Sequence, residues 1–347
     1  MFGLAVGIND VAVSIYICEN FKPAFRGVFG SIAIALFYGG FLVEICWVNL
    51  LSYGVVAYTN VAFAFLALSS ILVSTESAQY LITRGEDEKA FKNFLWLRGT
   101  NDTTDEEETD EFRQLKQYIE DERKEKRTIV AYLSTPVYRK TLTIVLIFSS
   151  LTMATGFAPI MSFVSIALTE DVPSANEYTL LFGALQFGSA IFGSTIIEKV
   201  DRHTILITSS FIAAILHACT AVLFYLDSKI LVPYFSWCIF ATITLYAMTF
   251  SSGILTIFYT TRGELLPHNT RSFGGSLAIM AHSMVGSAAT KVFLFIADAF
   301  GMYWNFVLYS IMSLVSVLFV YFILPETRGK SLVEIQNTMK IKVIGGK

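Results

Sequence analysis

The chain has 347 residues, 54% of them hydrophobic, 14% aromatic and only 15% charged, with a formal net charge of −3 and a mean hydropathy of +0.59. A soluble domain needs roughly a quarter of its residues charged, so this composition excludes one and describes an all-α membrane protein. Its four cysteines, Cys18, Cys46, Cys219 and Cys238, show no CxxC and no paired spacing, which argues against a disulfide framework or a zinc site.

In chain order, apolar runs fall near 1 to 19, 28 to 50, 54 to 74, 139 to 167, 178 to 197, 203 to 226, 231 to 258, 272 to 297 and 302 to 324. Each approaches or exceeds the roughly 20 residues that cross a bilayer core as a helix, which predicts about nine spans. The first run has no basic leader and passes straight into Glu19, so no cleavable signal peptide is expected. Asp10 and Glu44 interrupt apolar runs. An acid in such a place offers a proton relay, but the sequence names no partner for either. Gly3 and Gly7, four apart, favour close packing of the first helix.

From 75 to 138 the composition inverts, and "TDEEETDEFRQLKQYIEDERKEKR" is charged almost throughout. Thr104 and Glu107 fit a capping box, and acids gather at the start and Lys124, Lys126 and Arg127 at the end, as a helix dipole favours. Phe112, Leu115 and Ile119 make a narrow apolar stripe, with Glu120/Lys124 and Glu122/Lys126 as supporting i,i+4 pairs. A solvated helical linker is expected, with a regulatory docking role as the alternative. Asn101-Asp102-Thr103 spells a glycosylation sequon.

Lys22, Arg26, Lys199, Arg202, Arg271, Arg328 and Lys330 all fall on one set of connections, while the opposite loops carry little beyond Lys229. The positive-inside rule makes the first set cytoplasmic, which leaves the N-terminus outside, the C-terminus inside and the sequon unmodified in the cytosol.

One corner is written twice. "ENFKPAFR" sets Glu19 seven residues before Arg26 with Pro23 between, and "ELLPHNTR" does the same with Glu264, Pro267 and Arg271. Both offsets are 245, and "STESAQYLI" and "LPETRGKSL" echo each other with Glu76 and Glu326 250 apart. Two copies of one helical unit joined by the charged loop explain both, an arrangement common in transporters with a midplane site. Four runs precede the corner in the second copy and only one in the first, which predicts that roughly a hundred residues and three helices of the first copy are missing, as in a fragment or a shortened isoform. The expected units are 1–74, a truncated first half; 75–138, the loop; 139–324, a six-helix second half; and 325–347, a tail.

With "YICENFKPAFRG", "TESAQYLITRGEDEKAFKNFLWLRG", "EKVDRH", "GELLPHNTR" and "LPETRGKSLVEI", the sequence resembles the sugar porter family of the major facilitator superfamily, and within it the insect facilitated trehalose and hexose transporters. The resemblance implies the major facilitator fold of two pseudo-symmetric halves, here from the fourth helix to the twelfth. It also implies a multi-pass plasma-membrane protein that carries a sugar through the bilayer, with no cofactor and no nucleic-acid partner. Glu19, Arg26, Glu76, Glu198, Lys199, Arg202, Glu264, Arg271 and Glu326 would then form a cytoplasmic network of ion pairs that latches the halves. Opposite charges at helix ends on one face suit such exchange of partners in a rigid-body motion. The alternative is that they only mark the cytoplasmic side. Asp201 replaces the family's turn glycine and is expected to tolerate a left-handed conformation, His203 replaces its second arginine, and Gln79 stands where an arginine would pair.

The same resemblance places substrate along "FSSLTMATGFAP". Ser149, Ser150 and Thr155 stand where the family carries longer polar side chains, Gln186 keeps an amide, and Tyr259 replaces a tryptophan. Thr256 and Phe258 replace two prolines, which puts a helix break there in doubt; His282 and Ser283 replace an Asn-Trp pair. Helical Ser and Thr also satisfy their own backbone or let helices pack closely, so each has a structural reading too. Two functions stay open: a facilitative sugar carrier, and a transport-defective or sensor-like relative with a degenerate site. No nucleophile with an adjacent base, metal cluster or phosphate loop suggests an enzyme.

Overall fold

In a bilayer no water satisfies backbone N–H and C=O groups, so an apolar run must close its hydrogen bonds internally as a helix. The computed structural model describes residues 2–22, 25–97, 99, 106–124, 133–167, 175–197, 199–229, 235–328 and 334, and among these every regular element is helical. Three helices precede the charged loop: α1 (Phe2–Asn20), α2 (Arg26–Leu50) and α3 (Tyr53–Val73). The loop folds into α4 (Ala78–Arg84), α5 (Asp87–Leu97) and α6 (Glu106–Lys124). After it come α7 (Pro136–Ala154), α8 (Phe157–Ala167), α9 (Ala175–Ile196), α10 (Arg202–Asp227), α11 (Phe235–Thr249), α12 (Thr256–Leu265), α13 (His268–Phe300) and α14 (Met302–Phe322).

Eight helical segments among the described residues are long and apolar enough to cross a membrane, and they match the second to ninth expected runs. The expected first run is α1, a 19-residue helix that carries Asp10 and Glu19. The outward face of α3 presents Phe65, Leu68 and Leu72, the surface a lipid-facing helix needs.

Two spans differ from a plain helix. The run expected at 139–167 is cut at Thr155 and Gly156. The Thr155 hydroxyl lies 2.8 Å from the Thr152 carbonyl and 3.0 Å from the Tyr246 hydroxyl, and Gly156 turns to φ 90°, a conformation that favours glycine. The second case is α11 and α12. The doubt about a break at Thr256 and Phe258 resolves into a continuous helix with one π-helical stretch, Phe250–Leu255, just ahead of them. Ser252 turns its hydroxyl back onto the Met248 carbonyl at 2.8 Å. A Cβ on Gly193 of α9 would sit 2.6 Å from the Ser252 oxygen, so the widened turn lies directly against α9.

The loop is more than a solvated linker. Phe112, Leu115 and Ile119 close over Leu81, Ile82 and Phe94 as a small second core. Ser77 caps α4 through the Tyr80 amide. Lys22 between α1 and α2 forms a 2.5 Å ion pair with Glu108 of α6, which fastens this unit to the corner. Thr104, the sequon, Lys126 and Arg127 lie outside the described residues, as do the side chains of Glu107, Glu122 and Lys124.

Candidate functional site: a cavity between α1 and α12 with a charged seam at one end

Two helical groups meet along α1, α2, α12 and α13. Close approach is built in by glycine: a Cβ on Gly30 would come within 2.7 Å of Thr260 Cγ2, and one on Gly263 would collide with Cys18 Sγ. Hydrogen bonds run across the same crossing, from Ser14 Oγ to the Tyr259 carbonyl at 2.8 Å and from Arg262 Nη2 to the Asp10 carbonyl at 2.9 Å.

Beyond this crossing lies a cavity of about 520 Å³. Its walls come from α1, α2, α7, α8, α12, α13 and the π-helical stretch, and its polar groups include Asn9, Asp10, Ser14, Tyr259, Thr260 and His282. Of the seven residues the sequence suggests for substrate, Tyr259 and His282 line it. Tyr259 donates its hydroxyl to Asp10 Oδ1 at 2.8 Å. His282 stacks on Phe258 with ring centroids 4.6 Å apart, and its Nδ1 lies 3.3 Å from the Ser149 carbonyl. If Nδ1 carries the proton, Nε2 is left as an acceptor.

The other five fall outside the cavity's lining. Ser149 is buried and bonds the Val145 carbonyl at 2.7 Å, the self-satisfied helical serine. Ser150 is half-buried on α7, and Thr155 caps the α7 break. Gln186 is buried with Nε2 3.3 Å from Met161 Sδ, while its Oε1 has no partner among the described residues. Ser283 is exposed.

At the near end of the crossing the duplicated corner folds the same way twice. Arg26 Nε donates to the carbonyl five residues back, Phe21, at 3.0 Å; Arg271 Nε donates to Leu266, also five back, at 3.4 Å. Glu19 of the first corner lies 3.8 Å from Arg271 of the second and accepts from Ser77 at 2.5 Å. Arg26 lies within electrostatic reach of Glu264, and Glu264 is paired with Arg202, both side chains almost fully buried. Arg202 also reaches Thr327 at 3.0 Å, and Glu326 accepts from the His203 amide at 2.9 Å.

Thus Glu19, Arg26, Arg202, Glu264, Arg271 and Glu326 are brought to one end. Glu76 and Lys199 are exposed, Glu76 offering its carbonyl to Asn93, and Glu198 lies outside the described residues. Asp201 corrects the expectation of a left-handed turn. It is extended, φ −63° and ψ 137° at the start of α10, and pairs with Arg328 at 3.0 Å. Ahead of a helix an extended residue is the ordinary N-cap geometry.

Sequence reasoning missed Asp10 as a site residue. Its partners lie 249 and 252 positions away, and the available signal was only an acid inside an apolar run. Glu44, the other such acid, accepts from Asn60 of α3 at 3.0 Å.

A family model described as sugar (and other) transporter matches residues 1–339. A facilitated trehalose transporter of Polypedilum vanderplanki is 27% identical over 98% of this chain and 68% of its own length. A facilitated trehalose transporter homolog of Drosophila sechellia is 26% identical over 98% of this chain and 70% of its own. Among solved structures, the proton:xylose symporter XylE of the major facilitator superfamily, bound to 6-bromo-6-deoxy-D-glucose, superposes with a TM-score of 0.78 at 17% identity. That match covers 94% of this chain and 70% of that one. XylE from E. coli in an inward-open conformation gives 0.63 at 16% identity, over 94% and 68%. These likenesses establish the major facilitator fold, and with the family model spanning nearly the whole sequence, the chain belongs to the sugar (and other) transporter family.

Proposed function

We propose that the protein carries a sugar, a hexose or a trehalose-like disaccharide, passively across a cell membrane by alternating access. The observation that carries this reading is a cavity of about 520 Å³ between the helices before and after the charged loop, shut at one end by glycine crossings and ion pairs. A small polyol fits such a space, and millimolar binding requires only about 4 kcal/mol, which a few hydrogen bonds of roughly 1 kcal/mol each supply together with aromatic packing. The facilitated trehalose transporters among the relatives support the substrate class.

In this reading 1–74 is part of one rocking half and 139–324 the other, with 75–138 as the fastening between them. The corner end and the tail face the cytoplasm of a plasma-membrane protein. Release at that end requires Glu19, Arg26, Glu264 and Arg271 to exchange partners while α1 and α12 part at Cys18 and Gly263. The chemistry is binding and rigid-body motion, so no cofactor has a task. Glu76 keeps a place in this network only as a partner engaged after opening.

Counterflow of labelled glucose and of labelled trehalose into proteoliposomes holding the reconstituted protein tests the reading. Saturable exchange of either sugar supports it. No exchange of either, in protein with an intact fold, leaves the transport-defective alternative.

A further inference from the structure

We propose that Asp10 is a specificity-determining residue of the carrier, accepting a solute hydroxyl in the cavity. The inference rests on the proposed sugar transport and deepens it. The cavity's polar groups gather on α1 and α12, with His282 of α13 beside them, and do not include the α7 serines. Ser149 and Thr155 already spend their hydroxyls on backbone or on Tyr246, and Thr260 on its own helix. Asp10 is different. Its Oδ1 accepts a hydrogen bond from the Tyr259 hydroxyl at 2.8 Å, and among the described residues no donor reaches Oδ2.

Charge makes the arrangement tenable in an apolar setting, where an isolated carboxylate is costly. Arg262 is buried, its guanidinium lies over the Phe258 and Tyr259 rings at 5.1 and 5.3 Å, and Nη2 binds the carbonyl of Asp10 itself at 2.9 Å. The cation therefore offsets the acid without occupying its free oxygen. An acceptor of this kind selects neutral solutes rich in O–H donors, and its charge-assisted bond is about twice as strong as a neutral one. Anions are disfavoured at the same point.

The experiment compares wild type, Asp10→Ala and Asp10→Asn in proteoliposomes without a pH gradient. Each is challenged with glucose or trehalose, whichever wild type exchanges, and with its monodeoxy analogues as competitors. Wild type should bind at least one analogue about tenfold more weakly than the parent sugar. In Asp10→Ala that discrimination should fall to within about twofold, and in Asp10→Asn, which preserves the bond to Tyr259, it should fall partway.

Thermal unfolding in detergent identifies a variant that does not fold; if Asp10→Ala is lost, Asp10→Asn decides. The proposal is overturned if the folded variants discriminate as wild type does, or lose all analogues equally as a packing defect would. It is equally overturned if the analogue profile is unchanged while only pH dependence is lost, the signature of a relay. Absence of any sugar exchange by wild type is a separate failure, of the transport reading, and this inference falls with it.

Discussion

Glu264 and Arg202 show how much a single carboxylate holds at the corner end. Both side chains are at most 5% exposed, so removing one partner leaves the other charge stranded, at a cost of about 3–5 kcal/mol. Glu264→Gln is expected to lower the thermal unfolding temperature in detergent markedly, and Glu264→Gln with Arg202→Met to recover most of the loss. If the single variant unfolds at the wild-type temperature, the pair is structurally idle. Gly156 is the second sensitive residue. Its φ of 90° and the Tyr309 ring where a Cβ would go predict that Gly156→Ala costs about 1–3 kcal/mol, measurable in the same melt. Gly40, helical with open space around it, serves as the control that should tolerate alanine.

At the scale of elements, the apolar runs predict where helices lie because hydrophobic length and internal hydrogen bonding leave a bilayer segment few alternatives. The stripe of Phe112, Leu115 and Ile119 was equally legible, since spacing alone puts them on one face of α6. What that face covers was not: Leu81, Ile82 and Phe94 belong to other helices. The interruptions were the harder part. Thr155-Gly156 and Ser251-Ser252-Gly253 are small-residue runs that an intact helix also accepts, and only packing against Tyr309 and α9 tells which way they bend. The duplicated corner was visible as spacing, whereas the bond between Tyr259 and Asp10 joins residues with no local signal. Ser149 and Thr155 bond within their own helix, since a hydroxyl in a membrane helix always has its own backbone as a competitor to solute.

The fastening of α6 makes a modest prediction at this scale. The Lys22–Glu108 pair is partly exposed on the lysine side, and such pairs contribute about 1 kcal/mol or less. Lys22→Glu should hasten protease cleavage in the loop severalfold with little change in the global melt, and Lys22→Glu with Glu108→Lys should restore protection. Unchanged cleavage in the single variant would mean that the small core of α4, α5 and α6 holds α6 in place without this pair.

For the whole molecule, the two duplicated corners face each other across one seam, each arginine tied to its own corner's backbone, with Glu19 turned toward Arg271 of the second corner and Glu264 paired with Arg202 of its own half within electrostatic reach of Arg26. Such an arrangement suits the two-state motion proposed for a rocking carrier: rigid corners, with partners between them that can be exchanged. Packing adds a steric condition, because a bulky β-branched residue at Gly263 meets the Ser14 backbone as well as Cys18 and pushes α1 and α12 apart. Gly263→Val is therefore expected to hold the corner end open and to abolish exchange while the protein stays folded. Exchange at the wild-type rate would show that this crossing never needs to close.

Cys18 itself is the most direct reporter of the central claim, since it is fully buried in the seam while the other three cysteines can be replaced by serine. With those three removed, the rate of Cys18 modification by N-ethylmaleimide in proteoliposomes measures how often α1 and α12 separate. The account predicts slow labelling in the unliganded protein, a rate changed severalfold by saturating transported sugar, and fast labelling in Glu19→Gln and Arg271→Gln. A Cys18 rate that is the same with and without sugar, and the same in both variants, would contradict it.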